Sequence, residues 1–100
     1  MPYILEKDRP PYDAHIGALK DMVDKVQGSP YGHINYIITR LIVESISRRN
    51  RTRKTALSYD QLNSIVGLLE CVKLELYDQV AKPYEKNKRD MNGDVYNEFR

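Results

Sequence analysis

SYDQLNSIVGLLECVKLELYDQVAKP, residues 58–83, decides the fold, because it predicts one long helix with a marked start and a marked stop. Ser58 followed three residues later by Gln61 has the spelling of a capping box, in which each side chain bonds the other residue's backbone N–H. Pro83 cannot donate to the helical ladder and disfavours helical geometry at Lys82. We therefore expect a helix over residues 58–82.

Apolar residues lie on both sides of this predicted helix. A core-facing stripe with alternating spacings of three and four is formed by Leu62, Ile65, Leu69, Val72, Leu76 and Val80. Leu68, Cys71 and Leu74 fall on the opposite side, where a surface helix would carry polar residues. Because a chain of 100 residues offers little else to cover this second side, we predict a homo-oligomer with these three residues in its interface.

The composition is that of a soluble, single-domain protein. The chain is 41% hydrophobic and 30% charged, and its formal net charge is only +2, so no global charge argument favours nucleic acid. No apolar run reaches the roughly 18 residues that span a bilayer, and the first residues are too polar for a signal peptide. The lone Cys71 is expected to be a small buried hydrophobe in a reducing compartment. These features predict a cytoplasmic protein without membrane contact.

The remaining sequence predicts two shorter helices and two flanking segments. Residues 1–12 contain three prolines and are expected to form an extended arm, with Pro10 and Pro11 as a stop and Asp13 as the cap of a helix over about residues 14–26. A second helix is expected over about residues 30–48, although its β-branched residues make a strand a competitor. A polar segment and tail occupy residues 83–100. The predicted fold is an all-α bundle of about three helices with its core in residues 13–82.

A basic cluster lies between the second and third predicted helices. Its cations are Arg48, Arg49, Arg51, Arg53 and Lys54. They are expected to form a connector that is either simply solvated or binds nucleic-acid phosphates, nucleotide phosphates or an acidic protein.

Two polar sets stand out on the predicted helices. On the third helix, Asn63, Glu70, Lys73 and Tyr77 form a seam in which Lys73 falls within the apolar stripe. On the second, Asn35, Tyr36, Thr39 and Arg40 share a surface with Glu44, and the Arg40 guanidinium suits a phosphate or carboxylate. Each set has two interpretations. The first is structural, an ion pair or a solvated face, and the second is a ligand pocket between helices or subunits.

Several stretches together resemble a family of short uncharacterised proteins of bacteria and phages. They are MPYI and DRPPYD at the start, HINYIITRLI, SYDQLNSIVGLLECVKLELY, and VAKPYE with NGDVY at the end. The resemblance covers most of the chain and implies no stated activity. The connector of that family is often less basic, so a function that rests on residues 48–54 does not follow from the resemblance.

Signatures of catalysis are mostly missing from the sequence. It has no Gly-rich phosphate loop and no nucleophile elbow, and His15 and His33 lack the spacing of helical metal sites. We therefore expect no metal and no cofactor. The leading hypothesis is a non-enzymatic protein, of phage origin by the resemblance, that sequesters a small anionic ligand such as a nucleotide-derived immune signal at subunit interfaces. A nucleic-acid- or protein-binding module that uses residues 48–54 is the first alternative, and a small nucleotide hydrolase is the second.

Overall fold

The computed structural model describes residues 2–100, and that part of the chain is helical without a strand. Four α-helices are α1 (Pro10–Asp24), α2 (Tyr31–Arg53), α3 (Tyr59–Leu76) and α4 (Lys82–Asn92), with a π-helical segment at Tyr77–Ala81. Short 3-10 turns lie at Glu6–Asp8 and Asn97–Phe99. The all-α prediction is confirmed, and the strand that competed for the second helix does not form.

Two compact units make up the described chain, and the division between them falls within α3. The N-terminal unit comprises Tyr3–Ile65, and the C-terminal unit comprises Val66–Arg100 together with Pro2. Each unit is described by itself below. The prediction of one domain over residues 1–100 stays a prediction.

In the N-terminal unit, the prolines begin the first helix instead of preceding it. Pro10 and Pro11 occupy the first positions of α1, where a missing N–H leaves no helical bond unmade and the fixed φ suits the helix. The expected stop and the expected Asp13 cap are therefore wrong: Asp13 lies in the first turn, and Arg9 is the residue before the helix. The predicted extended arm is also shortened, because Glu6–Asp8 already form a 3-10 turn.

The second helix is longer than the sequence predicts. It continues to Arg53, so four cations of the basic cluster lie in its last turns and the fifth, Lys54, follows as the C-cap residue; none lies in an extended connector. Arginine is a good helix former, and the Thr52 hydroxyl bonds the carbonyl oxygen of Arg48 at 2.9 Å instead of interrupting the ladder. The helix ends at Lys54, which adopts the left-handed conformation with φ of 54°.

The predicted stop at Pro83 is wrong as well. The π-helical segment Tyr77–Ala81 follows α3 directly, and α4 follows that segment with Pro83 in its first turn. The N–H of Lys82 donates to the carbonyl oxygen of Tyr77, five residues earlier. A proline inside a regular α-helix clashes with the carbonyl four residues before it, and a wider π turn gives the ring room. Helical structure therefore continues from Tyr59 to Asn92.

Neither unit fully buries a side chain among the described residues. The best shielded apolar positions of the N-terminal unit are only half-buried and, apart from Val26, lie on its three helices: Leu19, Val23, Val26, Ile37, Ile42, Ile46 and Ile65. Leu68 is 50% exposed and Leu74 is 55% exposed. Cys71 is exposed, which corrects its prediction as a buried hydrophobe, because no neighbouring side chain of its own unit covers that side of α3.

Candidate functional site

The end of α2 is tied to the start of α3 by a pair of amide side chains. Asn50 Nδ2 donates to Gln61 Oε1 at 3.2 Å, and Gln61 Nε2 donates to Asn50 Oδ1 at 2.7 Å. The Thr55 hydroxyl also donates to Asn50 Oδ1, at 3.3 Å. Both amides are half-buried. We call Asn50 and Gln61 the amide pair, and it fixes the turn between the two helices.

The predicted capping box is confirmed and belongs to the same network. The Gln61 N–H donates to Ser58 Oγ at 3.2 Å, and the Ser58 N–H donates to Gln61 Oε1 at 3.2 Å. Gln61 Oε1 thus accepts two hydrogen bonds, one from the backbone of its own cap and one from α2. A residue that was predicted only as a helix start signal also joins two helices.

Next to the amide pair, α2 ends in a group of exposed cations. We call this group the basic end of α2; its members are Arg48, Arg49, Arg51, Arg53 and Lys54. Within residues 2–100, none of the five side chains forms an ion pair. Arg49 and Arg53 lie four residues apart on one side of the helix, and Arg48 and Arg51 lie three apart on another. Positive charge near the C-terminus of a helix is favourable, because it interacts with the negative end of the helix dipole.

Residues of the predicted polar set on the second helix contact one another along α2. The Thr39 hydroxyl donates to Asn35 Oδ1 at 3.2 Å, and Arg40 forms an ion pair with Glu44. Tyr36 is 66% exposed. The structure thus satisfies Arg40 locally, in agreement with the solvated-face interpretation. A ligand role for these residues stays a prediction.

The seam predicted on the third helix is divided between the two units. Asn63 belongs to the N-terminal unit, whereas Glu70, Lys73 and Tyr77 belong to the C-terminal unit. Lys73 Nζ lies 3.2 Å from Glu70 Oε1, and the Lys73 side chain is 70% exposed. Because its ammonium is solvated, it carries no burial penalty that a ligand would have to relieve. The Tyr77 hydroxyl instead donates to Glu85 Oε2 at 3.0 Å, which raises the pKa of Tyr77 because the bond favours the neutral phenol.

In the C-terminal unit, the tail folds back beside α4 around Asp94. Gly93 ends the helix with φ of 99°, a conformation open to glycine. Asp94 Oδ2 accepts from Arg100 Nε at 2.8 Å, and its Oδ1 accepts from the Tyr96 N–H at 2.8 Å. The Arg100 guanidinium and then the Tyr96 N–H hold the pKa of Asp94 below its usual range. The sequence interpretation recognised a turn at Asn92-Gly93 but missed this closed loop.

Two negative findings hold for the described part of the chain. No group of three or more His, Cys, Asp or Glu side chains there is arranged to hold a metal ion. Among residues 2–100, no helix combines the length and the apolar character that crossing a membrane requires.

Comparison with known proteins identifies the family. A family model described as a domain of unknown function, DUF6899, matches residues 1–95. The chain therefore belongs to that family, and the resemblance to an uncharacterised family is confirmed. No curated protein and no solved structure matches the chain.

Proposed function

We propose that this protein is a binding protein for the phosphate groups of nucleic acid and that the basic end of α2 is its contact surface. The observation that carries the proposal is the group of five cations within residues 48–54 that have no ion-pair partner in the described chain. Uncompensated Lys and Arg clusters attract phosphate backbones through Coulomb attraction and counterion release.

The spacing of these charges suits a polyanion. Residues 48–54 cover about 9 Å along a helix axis at 1.5 Å per residue. Over about 9 Å, double-stranded DNA carries about five phosphate charges. The number of cations on the helix end therefore approximately equals the number of phosphates within its reach.

The amide pair holds the basic end in place before a ligand arrives. Asn50 lies among the cations in the sequence, and its side chain is fixed by Gln61 and Thr55. A helix end that is already ordered loses less conformational entropy on binding than a flexible connector. This geometry favours the nucleic-acid hypothesis over a small ligand at Arg40 and Lys73, both of which have a carboxylate partner on their own helix.

We also propose that the protein assembles as a homo-oligomer through its apolar helix faces. The supporting observation is that Leu68, Leu74 and Val72 are each at least half exposed, in a chain without a fully buried side chain among its described residues. Burial of apolar surface is the main term that offsets the conformational entropy lost on folding. A second copy of the chain would supply that burial.

The proposed binding is tested by fluorescence anisotropy with labelled duplex DNA, single-stranded DNA and RNA. Neutralising about five phosphates predicts a roughly 500-fold loss of duplex affinity between about 50 and 200 mM salt. Arg49→Gln combined with Arg53→Gln should weaken binding at least tenfold and make the salt dependence shallower, since about two contacts are lost.

The matched control is Lys7→Gln combined with Lys25→Gln. It removes the same charge from two exposed positions of the same unit that lie outside the basic end. Equal losses in the two double variants would show a nonspecific charge effect and refute the assigned surface. Failure to bind any of the three nucleic acids at low salt would refute the function itself.

A further inference from the structure

An open groove of about 850 Å³ lies between α4 and residues 93–100 of the C-terminal unit. We call it the tail groove. Lys82, Lys86 and Arg89 of α4 line one wall, and Val95, Tyr96 and Arg100 line the other. The turn at Gly93 brings the two walls together. This volume lies within the range of about 300–1,000 Å³ that is common for small-molecule sites.

The acids that line the groove already have partners. Asp78 bonds Lys82 at 3.1 Å, and Asp94 bonds Arg100 at 2.8 Å. Glu85 accepts the hydroxyl of Tyr77. Each of these three carboxylates thus has a polar partner, and the Arg89 guanidinium also helps to lower the pKa of Asp94.

The remaining cations of the lining are poorly neutralised. Lys86 forms no ion pair with any residue of the described range 2–100. Arg89 Nε is 4.0 Å from a carboxylate oxygen of its neighbour Asp90, at the limit of an ion pair. The Lys88 ammonium lies 5.6 Å from the centre of the Tyr84 ring. The lining carries five cations and three carboxylates, so an anion that enters the groove meets a net positive charge.

The second wall is held in a fixed conformation and offers apolar surface. Asp94 accepts from the Tyr96 N–H and from Arg100, and its carbonyl oxygen accepts from Asn97 Nδ2 at 3.2 Å. These contacts fix the backbone on which Val95 and Tyr96 stand. A flat ring can pack on an aromatic side chain in such a place.

We propose that the tail groove binds a small organic phosphate, with the phosphate at Lys86 and Arg89 and the organic part against Tyr96. The site is distinct from the basic end of α2 and belongs to the other unit, so the inference does not depend on the proposed nucleic-acid binding. The two cations supply charge-assisted hydrogen bonds, and the tyrosine selects for a ligand with a planar group.

Backbone amide NMR of the full chain tests the proposal with three probes: adenosine 5′-monophosphate, adenosine and inorganic phosphate. We expect the monophosphate to shift the amides of residues 85–96 saturably, and each of the other two probes to bind at least about tenfold more weakly. Inorganic phosphate binding as tightly as the monophosphate would refute an organic ligand. Shifts confined to residues 48–54, or no shifts at millimolar probe, would overturn the site.

Charge-removing variants distinguish binding in the tail groove from a general electrostatic attraction between the protein and the phosphate. Lys86→Gln combined with Arg89→Gln should weaken monophosphate binding by at least about tenfold, because two charge-assisted contacts are lost. The equally charged double variant of Lys7→Gln and Lys25→Gln should bind as the unchanged protein does. Unchanged affinity in the groove variant, with its helical circular dichroism retained, would overturn the proposal.

Discussion

The side chains of Asn50 and Gln61 exchange two hydrogen bonds, at 3.2 Å and 2.7 Å, across the turn from α2 to α3. Each amide also bonds the backbone or a side chain of that turn, so the contacts form a closed network with Ser58 and Thr55. Half-buried amides whose donors and acceptors find partners hold one geometry better than apolar contacts do. The turn is thus held by side-chain hydrogen bonds from both of the helices that it joins.

Gln61→Ala should lower the free energy of unfolding by about 2 kcal/mol, because it removes the side-chain contact to the Ser58 N–H and both hydrogen bonds exchanged with Asn50. Urea denaturation followed by circular dichroism measures the change. Gln27→Ala, an exposed substitution between α1 and α2, is the control and should stay within about 0.5 kcal/mol. Equal effects of the two substitutions would contradict a role for the amide pair.

Glu85→Gln should bring the pKa of Tyr77 down toward its usual value. The pKa of Tyr77 is raised because the neutral phenol donates to the Glu85 carboxylate, whereas the ionised phenolate would be repelled by it. The contribution of this contact to stability is present below the unfolded-state pKa of the phenol and is lost as pH rises through the folded-state pKa. Carbon-13 NMR of ring-labelled tyrosine measures the titration, with the Tyr77 signal identified among those of the eight tyrosines by its loss in Tyr77→Phe. An unaltered titration in the variant would show that the contact is not formed in solution.

The Asp94 loop should open in acid. The folded-state pKa of Asp94 is lowered, so its contribution to stability is present above the unfolded-state pKa and is lost as pH falls through the folded-state pKa. The Tyr96 amide resonance should report this step during a pH titration. Arg100→Gln removes the first cause of the shift and should move the step to higher pH. A step at the same pH in both proteins would refute the assigned contact.

Leu68→Glu and Leu74→Glu should reduce the assembly that we propose while retaining helical circular dichroism. The new carboxylates would be unpaired in an apolar interface, where burial of a charge is strongly unfavourable. Light scattering gives the mass in solution. Ser64→Glu, on the same helix, is the control and should not change it. An unchanged mass in the leucine variants, or an unsubstituted protein at the monomer mass of 11.7 kDa, would disprove the interface.

Local signals predicted local structure well. The capping box at Ser58 and Gln61 formed as expected, because all of its partners lie within four residues of one another. The end of α2 was predicted five residues too early, because the run of cations was interpreted as a solvated loop. Arginine itself has a high helix propensity, and the helix continues through the run. Pro83 was treated as a stop because the rule assumes regular α-helical geometry, which the π turn before it changes.

Contacts between residues far apart in the sequence could not be predicted from local signals. Asn50 and Gln61 are eleven residues apart, and their pairing depends on how the chain turns at Lys54 and Thr55. The Asp94 loop could have been predicted more easily, because Gly93 followed by an aspartate indicates a turn with side-chain-to-backbone hydrogen bonds. Predicting the tail groove would have required the direction of the chain after that turn, which the sequence signal does not specify.

The π segment at Tyr77–Ala81 makes the number of residues before α4 as important as their chemistry. A π turn holds about one residue more than an α turn, and one residue corresponds to about 100° of rotation around a helix. Losing a single residue there would rotate Lys86 and Arg89 by more than a quarter of a circle relative to residues 66–76. A deletion that leaves every named side chain intact could thus redirect the whole cationic wall.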